Sequence, residues 1–416
     1  TGCQYTTEDA ACDDANACTD DVCVAGQGCV HTPVSDFSPC DDEVVGTSPD
    51  ICMAGLCRGG QTSALTVATV FWCEVLSARL PRVASYDGMV YALMTYELEG
   101  FLCGTSPCPD GSGRCHSRVL ALDGVSSEPV TLVEGVLSGL GHDAVVGSTG
   151  QVGQLTSGGS FVTWSTSALA LAIGASGQAG GTWSDVWGAR SLDDDGTTYT
   201  LVGRTSGAGA GRIIQCQLGE DAAACTNAPV DLGDWQWSSL NPVAAEGIVT
   251  ADGPLAAVVA QGTAADASSG LWITEDGAEF DLLPLGEPLT VRGTIRLSTD
   301  SAWIVGDESL FAELGPDGWT TWPSPALANP LALGAVTTLG STLIAVGHDA
   351  TDSQGAWLVA LDLDEDPTDK NSWTLVPLGD HRRAYDVHAS ESGITVVGSA
   401  FEDGVEVTPF IWHLPL

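Results

Sequence analysis

The chain has 416 residues and carries 54 acidic against 13 basic side chains, a formal net charge of −41. So acidic a chain lacks the clustered Lys and Arg that nucleic acid or an anionic membrane surface requires. Hydrophobic residues make up 44% and charged ones 16%, which excludes a disordered chain, and no apolar run of about 18 residues is present to span a bilayer.

Fourteen cysteines are present, and eight of them fall within the first 57 residues: Cys3, Cys12, Cys18, Cys23, Cys29, Cys40, Cys52 and Cys57. Such density means disulfides and an oxidising compartment. Zinc would favour paired C-x2-C units, and none occurs. Eight cysteines allow 105 connectivities, so spacing alone assigns no pairs in this head. The chain begins at Thr1 with a polar stretch and no leader, and it is expected to be a mature or trimmed form. The single lysine, Lys370, and the large negative charge read equally as adaptation to salt or as compositional drift of the source.

Residues 1–60 are rich in Asp, Cys and Thr and poor in long apolar side chains. They cannot build an ordinary core and need disulfides to hold a shape. A weak internal repeat runs through them. Cys12-Asp13-Asp14 recurs as Cys40-Asp41-Asp42, Asp21-Val22-Cys23 as Asp50-Ile51-Cys52, and Gly28-Cys29 is echoed by Leu56-Cys57. Cys18 has no counterpart, since Gly46 stands in its place. The stretch from Cys12 to Pro33 resembles the slime-mould-type cysteine repeat of extracellular matrix and bacterial surface proteins. The resemblance implies an extracellular stalk or interaction module and carries no chemistry.

From residue 61 to 416 the texture changes to short Val/Leu/Ala/Thr runs between Gly, Asp and Ser clusters, which predicts evenly spaced strands. The segment from Ala64 to Trp72 reads as a first strand. Cys73 follows it, and then Cys103, Cys108 and Cys115 bracket a stapled insertion. A strand ending in Val-Gly then recurs, with its glycine at 147, 203, 262, 306, 347 and 398, at intervals of 56, 59, 44, 41 and 51 residues. A cognate strand from Met89 to Met94 precedes them, making seven units of four-strand size. Hairpins follow these strands, with Asp-Gly turns at Asp276-Gly277 and Asp317-Gly318. Cys216 and Cys225 are the pair whose spacing best suits a stapled hairpin. The layout resembles a β-propeller of the group with Asp-box-like turns. The expected fold is therefore all-β: a seven-bladed β-propeller over residues 61–416 behind the disulfide-rich module 1–60. Pairing of the 64–72 strand with the C-terminal strand from Val405 would close it. A double β-sandwich is the alternative.

Three kinds of candidate site follow. Asp362, Asp364, Asp366 and Asp369 alternate before a turn, as oxygen ligands of calcium do. Pro367 and Trp373 stand where an EF-hand needs Gly and Glu, so a solvated hairpin tip is the competing reading. Asp193-Asp194-Asp195-Gly196 reads as a plain turn. Sialidase-like propellers hold a carboxylate with several arginines, and Arg190, Arg204, Arg212, Arg292, Arg296, Arg382 and Arg383 are available, without a pattern that marks a nucleophile. Trp183, Trp187, Trp235 and Trp237 fit packing between sheets better than sugar stacking. No catalytic residue or cofactor site is singled out. The expected function is a non-enzymatic secreted or cell-surface protein of adhesion, matrix or extracellular assembly. Its partner would be a protein, a glycan or a second copy of itself. The alternative is a glycan-binding or sialidase-like glycoside-hydrolysing propeller.

Overall fold

The structure is a computed structural model and describes residues 12–65, 74–86, 89–99, 114–134, 137–140, 144–147, 152–155, 161–164, 183–191, 198–205, 211–218, 223–227, 236–250, 253–263, 269–273, 281–284, 291–298, 301–315, 318–322, 330–350, 355–402 and 405–416. Among them, every regular element is a strand except two single-turn 3-10 segments, Asp307–Ser309 and Lys370–Ser372. The fold is all-β, as its Val- and Thr-rich runs broken by glycine require.

Six four-stranded antiparallel meanders follow one another. Sheet 1 holds Glu74–Tyr86, Met89–Glu99, Arg114–Asp123 and Ser126–Glu134. Sheet 2 holds Leu137–Leu140, Ala144–Gly147, Val152–Leu155 and Phe161–Trp164. Sheet 3 holds Trp183–Ser191, Thr198–Thr205, Gly211–Leu218 and Ala223–Asn227. Sheet 4 holds Gln236–Thr250, Gly253–Thr263, Ser269–Ile273 and Asp281–Pro284. Sheet 5 holds Val291–Ser298, Ser301–Gly306, Leu310–Gly315 and Gly318–Trp322. Sheet 6 holds Leu331–Leu339, Thr342–Asp349, Gly355–Asp362 and Trp373–Asp380. The first strand of each sheet packs on the first strand of the next. This arrangement is propeller-like.

Sheet 7 is different. Arg382–Ser390, Gly393–Glu402 and Val405–Pro415 are followed in space by Leu56–Ala64, Thr47–Met53 and Pro39–Cys40. The strand that pairs with the C-terminal one is therefore Leu56–Ala64, and the pairing residues are Gln61 to Ala64 opposite His413 to Phe410. The sequence pattern places this strand at 64–72; Ala64 and Leu65 do meet the C-terminal strand, and residues 66–73 lie outside the described residues. A boundary at residue 60 would fall inside this strand. Gly60 explains why the strand lies here. A Cβ at Gly60 would collide with the indole of the fully buried Trp412.

The recurring Val-Gly ending has a physical reason. Each such strand is the second of its sheet. In sheets 2, 3, 5, 6 and 7 the glycine lies beside a bulge on the first strand. A Cβ at Gly347 would collide with the carbonyl oxygen of Ala332, and one at Gly398 with that of Arg383. Only glycine fits so close a backbone.

One core cluster crosses from the head into the last sheets. Phe37, Ile51 and Met53 are buried with Val376 and Leu378 of sheet 6 and with Phe410 and Trp412 of sheet 7. The second half of the head is thus built into the last sheet, while Thr19–Val24 and Gly28–Pro33 form a separate hairpin.

Candidate functional site

The weak sequence repeat of the head is a close structural repeat. Two loops carry it. Asp13 accepts the Ala15 N–H and Asp41 the Glu43 N–H, both at 2.8 Å. Asp14 accepts the Asn16 N–H at 2.8 Å, and Asp42 the Val44 N–H at 2.9 Å. Thr19 donates to Asp14 at 3.0 Å and Thr47 to Asp42 at 2.9 Å. The Asp14 N–H reaches Asp21, and the Asp42 N–H reaches Asp50. Ala15 and Glu43 occupy the left-handed region at φ 62° and 60°. Each aspartate closes its own turn, the use for which Asp is favoured there.

Disulfides frame both copies in the same way. Cys12 pairs with Cys29 and Cys40 with Cys57, each across 17 residues. Cys18, the cysteine without a counterpart, bonds Cys52 and so ties the first copy to the second. Asn16 Nδ2 reinforces that tie by donating to the Gly55 carbonyl at 2.9 Å. Cys23 is disulfide-bonded as well, and Cys3 lies outside the described residues.

The copies differ in charge. In the first, His31 Nδ1 lies 2.6 Å from Asp21 and 3.5 Å from Asp14. The hydrogen bond that His31 donates to the Asp21 carboxylate raises the His31 pKa and lowers that of Asp21. In the second, Asp41, Asp42 and Asp50 bring three carboxylates within 4.8 Å, and the Val44 N–H holds Asp42 below the usual carboxylate range. The equivalent of Asn16, which donates to Gly55, is Val44, and Val44 and the following Val45 stand out into solvent.

The predicted site residues are distributed elsewhere. Asp362, Asp364, Asp366 and Asp369 lie between the third and fourth strands of sheet 6, and no three of them come within 4.8 Å. Asp362 accepts the Asp364 N–H, Asp366 accepts from Thr368, and Asp369 caps the 3-10 turn through Asn371. The Thr368 bonds also lower the Asp366 pKa. Cys216 and Cys225 are direct register partners in sheet 3. Cys115 is on the third strand of sheet 1, and Cys73, Cys103 and Cys108 lie outside the described residues. Arg292 pairs with Asp307, Arg382 donates to the Leu378 carbonyl and lies over Phe410, and Arg383 lies over Phe401. Arg190, Arg204 and Arg212 are on strands of sheet 3 and Arg296 on the first strand of sheet 5. Trp183 and Trp187 are on the first strand of sheet 3, and Trp237 is on that of sheet 4. Trp235 and the 193–196 turn lie outside the described residues.

One group had no sequence signal. Asp386, on the first strand of sheet 7, is half-buried and accepts the Val83 N–H of sheet 1 at 2.9 Å.

These features define an all-β, propeller-like chain with a disulfide-rich N-terminal module that joins its last sheet. Residues 11–34 match the model of the Dictyostelium (slime mold) repeat. No curated protein matches the chain. Among solved structures, "YCF48 bound to D1 peptide" is similar at 12% identity and a TM-score of 0.48, over 85% of this chain and 98% of that one. The phage phi92 endosialidase is similar at 10% identity and a TM-score of 0.45, over 86% of this chain and 69% of that one. Among the described residues, no helix is long and apolar enough to cross a membrane.

Proposed function

We propose that the chain is a secreted or cell-surface structural and interaction protein without a catalytic role. In this reading the sheets form a closed seven-bladed propeller. Support comes from the packing of the first strand of sheet 7 back on that of sheet 1. The observation that carries the functional reading is the continuity of the head with sheet 7 through strands and a common core. A hinged module would search for partners. One built into a sheet presents them a fixed surface. The repeat loops, closed by carboxylates and locked by three disulfides among the described residues, make that surface rigid and acidic. Rigid surfaces lose little entropy on docking. The partner is a protein or glycan outside the cell, or a second copy of the chain.

Size exclusion with light scattering on the oxidised protein tests this, together with retention on immobilised cell-surface protein and glycan. Self-assembly or specific retention is expected, and lost when Cys18 and Cys52 are both replaced by serine. Turnover of sialylated glycans that disappears on changing Arg292 or Arg383 would overturn the non-catalytic reading.

A further inference from the structure

The two head loops share the turn bonds described above and differ at one register position. In the first copy Asp21 stands opposite His31, and in the second Asp50 stands opposite Gly59. No side chain fits at Gly59, where a Cβ would lie 2.2 Å from Asp42 Oδ2. The second loop closes without an imidazole, so closing the turn does not account for His31. The aspartates of the first copy are oriented toward it. Asp21 Oδ2 accepts the Asp14 N–H at 2.8 Å. Asp14 Oδ1 accepts the Asn16 N–H at 2.8 Å and the Thr19 hydroxyl at 3.0 Å. Each carboxylate thus commits one oxygen to the loop and turns the other to His31 Nδ1, Asp21 Oδ1 at 2.6 Å and Asp14 Oδ2 at 3.5 Å.

We propose that His31, Asp14 and Asp21 form a site for a divalent transition metal of the zinc class, with His31 Nδ1, Asp14 Oδ2 and Asp21 Oδ1 as ligands. The three side chains bring one ligand atom each within 4.8 Å of the others. Zinc takes imidazole nitrogen and carboxylate oxygen at about 2.0–2.2 Å, which sets tetrahedral ligands about 3.4 Å apart. The Asp14 distance already meets this spacing. The Asp21 distance meets it when the ion takes the place of the shared proton, a movement of less than about 1 Å. The loop bonds on the outer oxygens fix the direction of each ligand before the ion arrives, as the outer partners of metal ligands do. The Cys12–Cys29 disulfide holds the same place from outside, since Cys12 lies just before Asp14 and Cys29 just before His31. Three protein ligands leave a fourth position open, and the exposure of His31 and Asp14, 37% and 33%, turns it to water.

The imidazole decides the kind of ion. Nitrogen suits zinc, copper and nickel, whereas calcium takes six to eight oxygens, more than this loop offers. The second copy groups Asp41, Asp42 and Asp50, which are oxygen donors alone. It is therefore an internal control for the first, with the same turns and no nitrogen.

Zinc chloride titrated into the oxidised, metal-stripped full chain tests the site, with the histidine ring nitrogens followed by NMR. The His31 signals are those lost in His31→Gln. On the wild type, Nδ1 of His31 is expected to shift and saturate ahead of the other histidines, while calcium chloride leaves it in place. Calorimetry gives a second readout. The tightest zinc-binding event is expected to be lost in His31→Gln and unchanged in Asp42→Asn. In Thr19→Val, which removes the hydroxyl that holds Asp14, it is expected to weaken on the order of 10–100-fold. A wild-type His31 Nδ1 that zinc leaves unmoved, or that calcium moves equally, would overturn the site. So would tight zinc binding that survives His31→Gln or is lost in Asp42→Asn.

Discussion

Gly398 has the Arg383 carbonyl where a side chain would begin. Gly398→Ala must therefore push apart the first two strands of sheet 7, and overpacking of this kind costs about 1–3 kcal/mol. The expected result is a lower urea midpoint with an unchanged slope. Gly340 is a useful contrast, because a Cβ there meets nothing within 4 Å and its only cost is a φ of +58°. At the head, charge rather than shape decides. His31 is bonded to Asp21, which raises one pKa and lowers the other. The imidazolium thus supports the first repeat below pH 6.5, and that support fades as pH rises through the raised value. The Asp21 contribution is present above 3.8 and fades as pH falls through its lowered value. A proton NMR titration of His31 is expected to give a midpoint above 6.5 that falls back toward the ordinary value in Asp21→Asn, with Asp14 still at 3.5 Å. An unshifted His31 would remove this pair from the account of the head.

The two repeats in the head are joined by one covalent tie, Cys18 to Cys52. It closes 34 residues, and such a bond stabilises by about 2–4 kcal/mol, chiefly by restricting the unfolded chain. Replacing both cysteines by serine is expected to free the Thr19–Val24 hairpin while Cys40–Cys57 keeps the second copy on sheet 7. Limited proteolysis checks this: cleavage is expected first between the copies, and unchanged digestion would mean the Asn16 bond suffices. Much of this level was legible in the sequence. The Val-Gly spacing located the second strand of sheets 2 to 7, because a glycine facing a bulge cannot be replaced. The Cys-Asp-Asp repeat located both head loops, because aspartate after cysteine closes the same turn twice. Of the closing strand read at Ala64 to Trp72, Ala64 and Leu65 lie among the described residues and both meet the C-terminal strand. Ala64 to Trp72 alternates like a strand, whereas Leu56–Ala64 carries two glycines that signal a turn until Trp412 is placed over Gly60. The Asp362 loop reads two ways from the sequence, as metal ligands or as a solvated tip; in the structure Asp362, Asp366 and Asp369 each accept from their own turn. Asp386 gave no sign at all, because its partner is 303 residues away.

Over the whole molecule, the junction of head and sheet 7 decides what can be removed. Trp412 is fully buried beneath Gly60 and shares a core with Phe37, Ile51 and Met53. A chain beginning at residue 55 keeps Leu56–Ala64 as the neighbour of Val405–Pro415 but loses those three side chains and the Thr47–Met53 strand, so that the polar, glycine-bearing Leu56–Ala64 becomes the edge in place of Val405–Pro415. It is expected to fold with a lowered melting temperature, the loss of each large apolar side chain costing about 2–5 kcal/mol. A chain beginning at residue 66 loses the strand as well, and Val405–Pro415 becomes an open edge of 11 residues. Open hydrophobic edges pair with other chains. That shorter chain is expected to aggregate on light scattering while the longer one stays discrete. If both behave alike, the strand from the head does not close the last sheet, and the head would be a separable module. If only the shorter one aggregates, the N-terminal module is the structural partner of the C-terminus, and its rigid placement follows from the same pairing.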